Sequence, residues 1–193
     1  MTGIDKLPLA DRQGLPDALR VLLEDYPREA WETSPNFSGL IRFWLDRHLM
    51  FRRVLAAMES ETTDALDKST DPHQFASRLS RYAGFFVQEL HAHHTIEDRE
   101  YFPRLKTLDA RIGWGFDVLD RDHHDIDGHL NGFVEDANAF FQALSSDEKD
   151  TAPHLDRVHK RLTRTDHFLD RHLTDEEELV VPILLKYAPS GLL

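Results

Sequence analysis

The sequence predicts an all-α protein, an antiparallel four-helix bundle behind a short N-terminal helical arm. Apolar residues recur at spacings of three and four along four long stretches. No stretch of useful length alternates apolar and polar residues as a strand does, and the breaks between the periodic stretches are short. With 193 residues, 40% apolar and 30% charged, the chain has the composition of one globular domain. The expected divisions are an arm over 1–36, the bundle over 37–187 and a tail over 188–193.

Residues 1 to about 14 read as a loose arm, and Leu15 to Leu23 as a short amphipathic helix that stops before Pro27. The polar run Glu29 to Asn36 is a connection. From Phe37 the line Ile41, Trp44, Leu45, His48, Phe51, Leu55 marks the first long helix. Glu59 to Asp71 is polar and holds the first turn, with Asp71 as cap and Pro72 at the first helical position. The second helix buries Phe75, Leu79, Ala83, Phe86 and Leu90, continues through His93, His94, Glu97 and Tyr101, and is kinked or ended by Pro103. Gly113 and Gly115 mark the next turn. The third helix follows Phe116, Leu119, His123, Ile126, Leu130, Val134, Ala137 and Phe141 until Ser145, Ser146 and Asp147 break it. The fourth runs from Leu155 through His172 and Glu176 towards Tyr187, with Gly191 beyond its end.

Histidines and acids stand in a pattern on this frame. His93 and Glu97 are four apart, so a helix puts both on one face, one turn apart. Chance alone places about two acids four residues after the 12 histidines; the chain has four such pairs, His93/Glu97, His94/Asp98, His123/Asp127 and His172/Glu176. The stronger signal is repetition. His172, Glu176 and Pro182 repeat His93, Glu97 and Pro103 at one offset of 79, and each copy has a histidine helix upstream, carrying His48 or His123.

These residues interrupt apolar stripes, where an ionised carboxylate is costly unless paired or bound to a metal. With no cysteine in the chain, any metal is held by nitrogen and oxygen donors, which suit Fe, Mn, Zn or Ni. The repeat favours a pair of metals. One half takes His48, His93 and Glu97, the other His123, His172 and Glu176, with the glutamates as bridges. His94 with Asp98 is a rival register to His93 with Glu97, and His91, His167 and Asp127 also lie near the site.

The histidine helix before each His-x3-Glu helix, the doubled acids Glu97-Asp98 and Glu176-Glu177, and the pairs Phe102-Pro103 and Val181-Pro182 together resemble the hemerythrin-like, HHE cation-binding proteins over about residues 37 to 187. The resemblance implies two iron ions with bridging oxygen species inside a four-helix bundle, in a protein that binds or senses O2 or another small diatomic ligand, or holds iron. Where oxygen-carrying hemerythrins have a second histidine on the third helix, this chain has Asp127. That substitution implies less durable retention of O2.

A binding protein is the preferred reading over an enzyme. The alternatives are a di-metal oxidase, peroxidase or hydrolase, favoured by a site of only four imidazoles, and a structural bundle held by zinc or nickel. No Glu-x-x-His of the ferritin type and no HExxH motif occurs. The net charge of -12 argues against nucleic acid as a partner. No run approaches the roughly 18 apolar residues of a membrane span, and no signal-like segment opens the chain, so a cytoplasmic location is expected. The sequence leaves the oligomeric state open.

Overall fold

A computed structural model describes residues 7–146 and 148–189; residues 1–6, Asp147 and 190–193, Gly191 among them, lie outside the described residues. The described residues are all-α, without a strand. Short turns at Leu9–Asp11, Asp17–Leu19 and Arg28–Ala30 surround α1 (Val21–Asp25). Then come α2 (Gly39–Leu66), α3 (Pro72–Ile96), a π-helical turn (Glu97–Tyr101), α4 (Phe102–Leu105), α5 (Gly113–Ser145) and α6 (Ala152–Tyr187). Among the described residues no helix is long and apolar enough to cross a membrane.

The chain divides into two compact units, and the long helices pass through both. One unit takes the residues up to Leu49, His93–His124 and those from Asp170 onward. Its core joins the arm to the helices: Leu15, Leu19, Leu22 and Trp31 are buried with Ile41 and Trp44 of α2, Phe116 and Leu119 of α5, and Val180 and Ile183 of α6. At about 1.5–3 kcal/mol for each large apolar side chain buried, these four arm residues hold the arm firmly. The arm is therefore not loose before residue 14 as expected, since Leu9 and Arg12 are also buried.

The other unit comprises Met50–Ala92 and Asp125–Leu169. Phe51 meets Phe86 edge-on at 6.2 Å and Glu61 pairs with Arg78, so α2 and α3 run antiparallel here. His129 against Phe168 and Asp136 with Arg161 give α5 and α6 the same relation. Phe75 against Phe140 at 5.6 Å joins the two pairs into a core.

The turn expected over Glu59 to Asp71 is shorter in fact, because α2 continues to Leu66. Thr62 and Thr63 return their hydroxyls to the carbonyls of Met58 and Glu59, and Glu61 pairs across to Arg78. The helix stops in a Schellman closure, with Ser69 N–H donating to Asp64 O and Lys68 N–H to Ala65 O. Lys68 takes the left-handed position there, φ 57°, that glycine usually fills. The expected Asp71 cap is present, accepting from Gln74 N–H at 2.9 Å.

The helical run is interrupted just before Pro103 and closes two residues after it, at Leu105. The proline lacks the N–H that an α-helix would direct at the fourth carbonyl before it, and its ring crowds that carbonyl. The chain widens into a π turn over Glu97–Tyr101, where Phe102 N–H reaches Glu97 O, and resumes as α4. Such single π turns recur at functional sites. This one begins at Glu97.

Candidate metal centre

Five helical segments of the first unit deliver the polar residues that interrupt its core. α2 supplies His48, the last turn of α3 supplies His93 and His94, the π turn supplies Glu97, α5 supplies His123, and α6 supplies His172 and Glu176. Six of the seven are buried, and His93 is half-buried. Consecutive residues on a helix point about 100° apart. His93 and His94 thus face different neighbours.

The donor atoms fall into two groups, each within 4.8 Å. One contains His48, His93, Glu97 and Glu176, the other His94, His123 and His172. The glutamates relate the groups. Glu176 Oε2 lies 3.6 Å from His48 Nε2 and 3.5 Å from His172 Nε2. Glu97 presents Oε1 at 2.9 Å from His93 Nε2 and Oε2 at 3.6 Å from His123 Nε2. Each carboxylate faces one histidine of either group, which is the disposition of a bridge.

Three imidazoles are backed by carboxylates on their far side. His48 Nδ1 is 3.1 Å from Glu177 Oε1, and His123 Nδ1 is 2.8 Å from Asp98 Oδ1. His172 Nδ1 faces Asp122 Oδ2 at 3.5 Å, long for a hydrogen bond. A neutral imidazole that donates from Nδ1 keeps the lone pair on Nε2, and in all three cases Nε2 is the atom turned towards the glutamates. Trp44 Nε1–H donates to the other oxygen of Glu176, Oε1, at 2.5 Å.

Burial sets most of the protonation pattern. Desolvation holds His93 down at about 3 and His94 well below the usual imidazole range. His123 is also lowered by burial, partly offset by Asp98. These three are neutral at pH 7. Burial alone would lower His172 too, but Asp122 and Glu176 outweigh it and raise it to about 9. Glu97 is pushed well above the carboxylate range by burial and then by the charge of Glu176. For Glu176 burial acts in the same upward direction but is outweighed by His48, His172 and His93, so its carboxylate stays ionised.

All six residues expected in the site, His48, His93, Glu97, His123, His172 and Glu176, come together in this cluster. The grouping differs from the expected halves, because Glu176 lies with His48 and His93, and the third member beside His123 and His172 is His94. Both rival positions on α3 lie in the cluster: His93 and His94 enter different groups, while Asp98 backs His123. His91 and His167 are exposed, and Asp127 is half-buried and belongs to neither group. The partners Asp122, Glu177 and Trp44 were not singled out for this part. Asp122 and Glu177 each stand next to a candidate ligand in sequence, the one signal that could have marked them.

Hydrogen bonding among these side chains does not account for the cluster. Eight buried nitrogen and oxygen atoms of His94, Glu97, His123, His172 and Glu176 have no hydrogen-bond partner of acceptable geometry. At about 1–3 kcal/mol for each unsatisfied group, that cost rivals the roughly 5–15 kcal/mol by which a whole domain is stable. Cations between the two groups would satisfy these atoms together, and five imidazoles with two carboxylates form a donor set suited to first-row transition metals.

The comparison with protein families agrees with this chemistry. Residues 39–184 match the model of the hemerythrin HHE cation binding domain. No curated protein and no solved structure matches the chain. With most of its length and the whole donor cluster inside the matched segment, the chain belongs to the hemerythrin HHE cation-binding family.

Proposed function

We propose that the seven clustered side chains hold two iron ions and that the protein binds or senses O2 or another small diatomic ligand, or holds iron, without catalysing a reaction. The observation that carries this reading is the pairing of two donor groups through two shared glutamates. His94, His123 and His172 would serve one ion, His48 and His93 the other, with Glu97 and Glu176 between them. The half with only two imidazoles has more room for an added ligand.

Two irons held here would supply redox chemistry and affinity for a small diatomic ligand. The chain's own residues do the rest. Asp98, Asp122 and Glu177 orient imidazoles from behind, and Trp44 fixes one oxygen of Glu176. Phe102 lies against the His123 ring with centroids 5.5 Å apart, and buried Phe116 packs on Phe102, which keeps water from that side. The expectation of poor O2 retention rested on Asp127 in place of a histidine, and Asp127 belongs to neither donor group; the enzyme alternative rested on a count of four imidazoles. His94 supplies a fifth and removes that ground.

The test is anaerobic titration of the metal-free protein with Fe(II), followed by air. Uptake near two ions per chain and a new near-ultraviolet or visible absorption on exposure to O2 are expected. Uptake of zinc alone, or no metal above traces, would overturn the reading.

A further inference from the structure

Two arginines of the N-terminal arm reach the carboxylates that stand behind the histidines. Arg12, buried, engages Asp122 through Nη1 at 3.2 Å and through a closer Nη2 contact, while its Nε donates to Asp175 at 2.7 Å. Asp122 is the carboxylate facing His172. Arg28 donates to Glu177 Oε2 at 2.7 Å, and the other oxygen of Glu177 faces His48. Each end of the arm is thus one carboxylate away from an imidazole, and the two imidazoles belong to different donor groups.

The arm is fixed in this position by further contacts. Leu15 N–H donates to Asp175 Oδ1, Arg171 donates to the carbonyl of Gln13 at 2.9 Å, and Arg20 pairs with Glu178 at 3.1 Å. Arg28 lies over the ring of buried Trp31, 4.7 Å from its centroid. Both arginines fall outside residues 39–184, the segment the family model matches.

We propose that the docked arm is a working part of the metal centre: Arg12 and Arg28 are positioning residues that lock Asp122 and Glu177 behind His172 and His48, and so couple metal retention to arm docking. The chemistry is that of a carboxylate held in one orientation by a guanidinium, through a two-nitrogen fork for Arg12 on Asp122 and a single bond for Arg28 on Glu177, which in turn fixes the ring plane of the histidine in front of it. Without its arginine the carboxylate loses that hold, and the aim of the imidazole is less firmly preset. Coupling is reciprocal, so bound metal must hold the arm down as strongly as the arm holds metal. The proposal rests on the metal reading given above.

The experiment compares wild type, Arg12→Gln, Arg28→Gln and Asp122→Asn by anaerobic Fe(II) competition against a chromophoric chelator, with hydrogen exchange of residues 7–30 followed in parallel. Arg12→Gln is expected to weaken Fe(II) binding by up to about 10–100-fold, the scale for losing the partner directly behind a ligand, here Asp122. Arg28→Gln, at a half-exposed guanidinium, is expected to act in the same direction but less, and without threatening the fold. Arg12→Gln combined with Asp122→Asn should cost little more than either alone, because the arginine acts through that aspartate. Fe(II) should slow exchange in the wild-type arm, and less so in Arg28→Gln. If wild type takes up two ions while Arg28→Gln matches it in affinity, release rate and arm exchange, the coupling is refuted and the metal reading stands. If wild type takes up none, the metal reading itself fails. A purely structural Arg12 would lower the melting point of the metal-free protein and leave the affinity of the folded molecule and the arm's response to Fe(II) unchanged, which also refutes the proposal.

Discussion

Metal loading should release close to two protons per chain near neutral pH, and affinity should rise accordingly with pH. In the metal-free protein His93, His94 and His123 are neutral, so they offer lone pairs without losing a proton. His172, raised to about 9, and Glu97, raised well above the carboxylate range, both carry one. A ligand must shed its proton before it binds a metal, so those two protons leave. Each proton displaced makes affinity rise about tenfold per pH unit, or about 1.4 kcal/mol. Between pH 6.5 and 7.5 the overall affinity should therefore rise about 100-fold. The measurements are Fe(II) competition in anaerobic buffers across this range and proton release read by an indicator in weak buffer. Release near zero would mean that Glu97 and His172 are already bare; release near five would mean that the buried imidazoles are charged. Either result would refute the protonation pattern.

The same groups set how the metal-free fold responds to pH. His172 is raised from 6.5 in the unfolded chain to about 9, worth roughly 3 kcal/mol. That stabilisation is fully present below pH 6.5 and is lost as pH rises through about 9. Glu97, also raised, works in the same direction. His93, depressed to about 3, acts oppositely: its contribution is present above 6.5 and is lost as pH falls towards 3. The gap between the melting points of loaded and metal-free protein should accordingly widen from pH 6.5 to 8.5, because metal replaces the protons whose loss weakens the empty cluster.

Three further outcomes are expected. His94→Ala leaves its donor group with two imidazoles, as many as the other group has, and should weaken retention of one of the two ions, while Asp127→Ala leaves it unchanged, as Fe(II) competition can show. Trp44→Phe keeps a ring in place but takes the donor from Glu176 Oε1, and should destabilise the metal-free protein by about 1–3 kcal/mol in urea. Gly84→Ala and Gly128→Ala, at exposed helical positions where an added methyl meets nothing within 4 Å, should each stabilise by about 0.5–1 kcal/mol; Gly115→Ala should destabilise, since its methyl would lie 2.9 Å from Leu179. Denaturation midpoints distinguish these signs.

The fold was legible where the apolar spacing was long. The stripes through Ile41 and Leu55, Phe75 and Leu90, Leu119 and Leu130, and Leu155 and Ile183 all became buried helix faces, but beyond Leu130 the buried line of α5 runs through Phe133, Ala137 and Phe140, leaving the expected Val134 exposed and Phe141 half-buried. It was misread where tertiary contacts overrode local chemistry. The acids and threonines after Glu59 look like a turn, yet they bond back along α2 and across to Arg78, and the true stop uses Lys68 in a conformation that sequence assigns to glycine. The arm was misread for a related reason. Arg12 looks like a solvated charge until two distant aspartates, Asp122 and Asp175, meet it in the fold.

The cluster shows why a repeat identifies candidate donors better than it groups them. The offset of 79 equates His93 with His172 and Glu97 with Glu176, and so predicts two halves, each with its own upstream histidine and joined by the glutamates as bridges. Packing imposes another requirement. A carboxylate between two donor groups must face a histidine of each, so Glu176 serves His48 as well as His172, and Glu97 serves His123 as well as His93. Once the glutamates are shared, the group of His123 and His172 lacks a third nearby imidazole, which α6 does not supply because Leu173 follows His172 and is wholly buried in the core. α3 supplies it, because His94 follows His93 and the 100° between neighbours on a helix turns the two rings to opposite groups. The choice between registers that the sequence poses at this point is therefore no choice at all: a single-register α3 would leave His123 and His172 as a pair, and the adjacent histidines let one helix serve both groups.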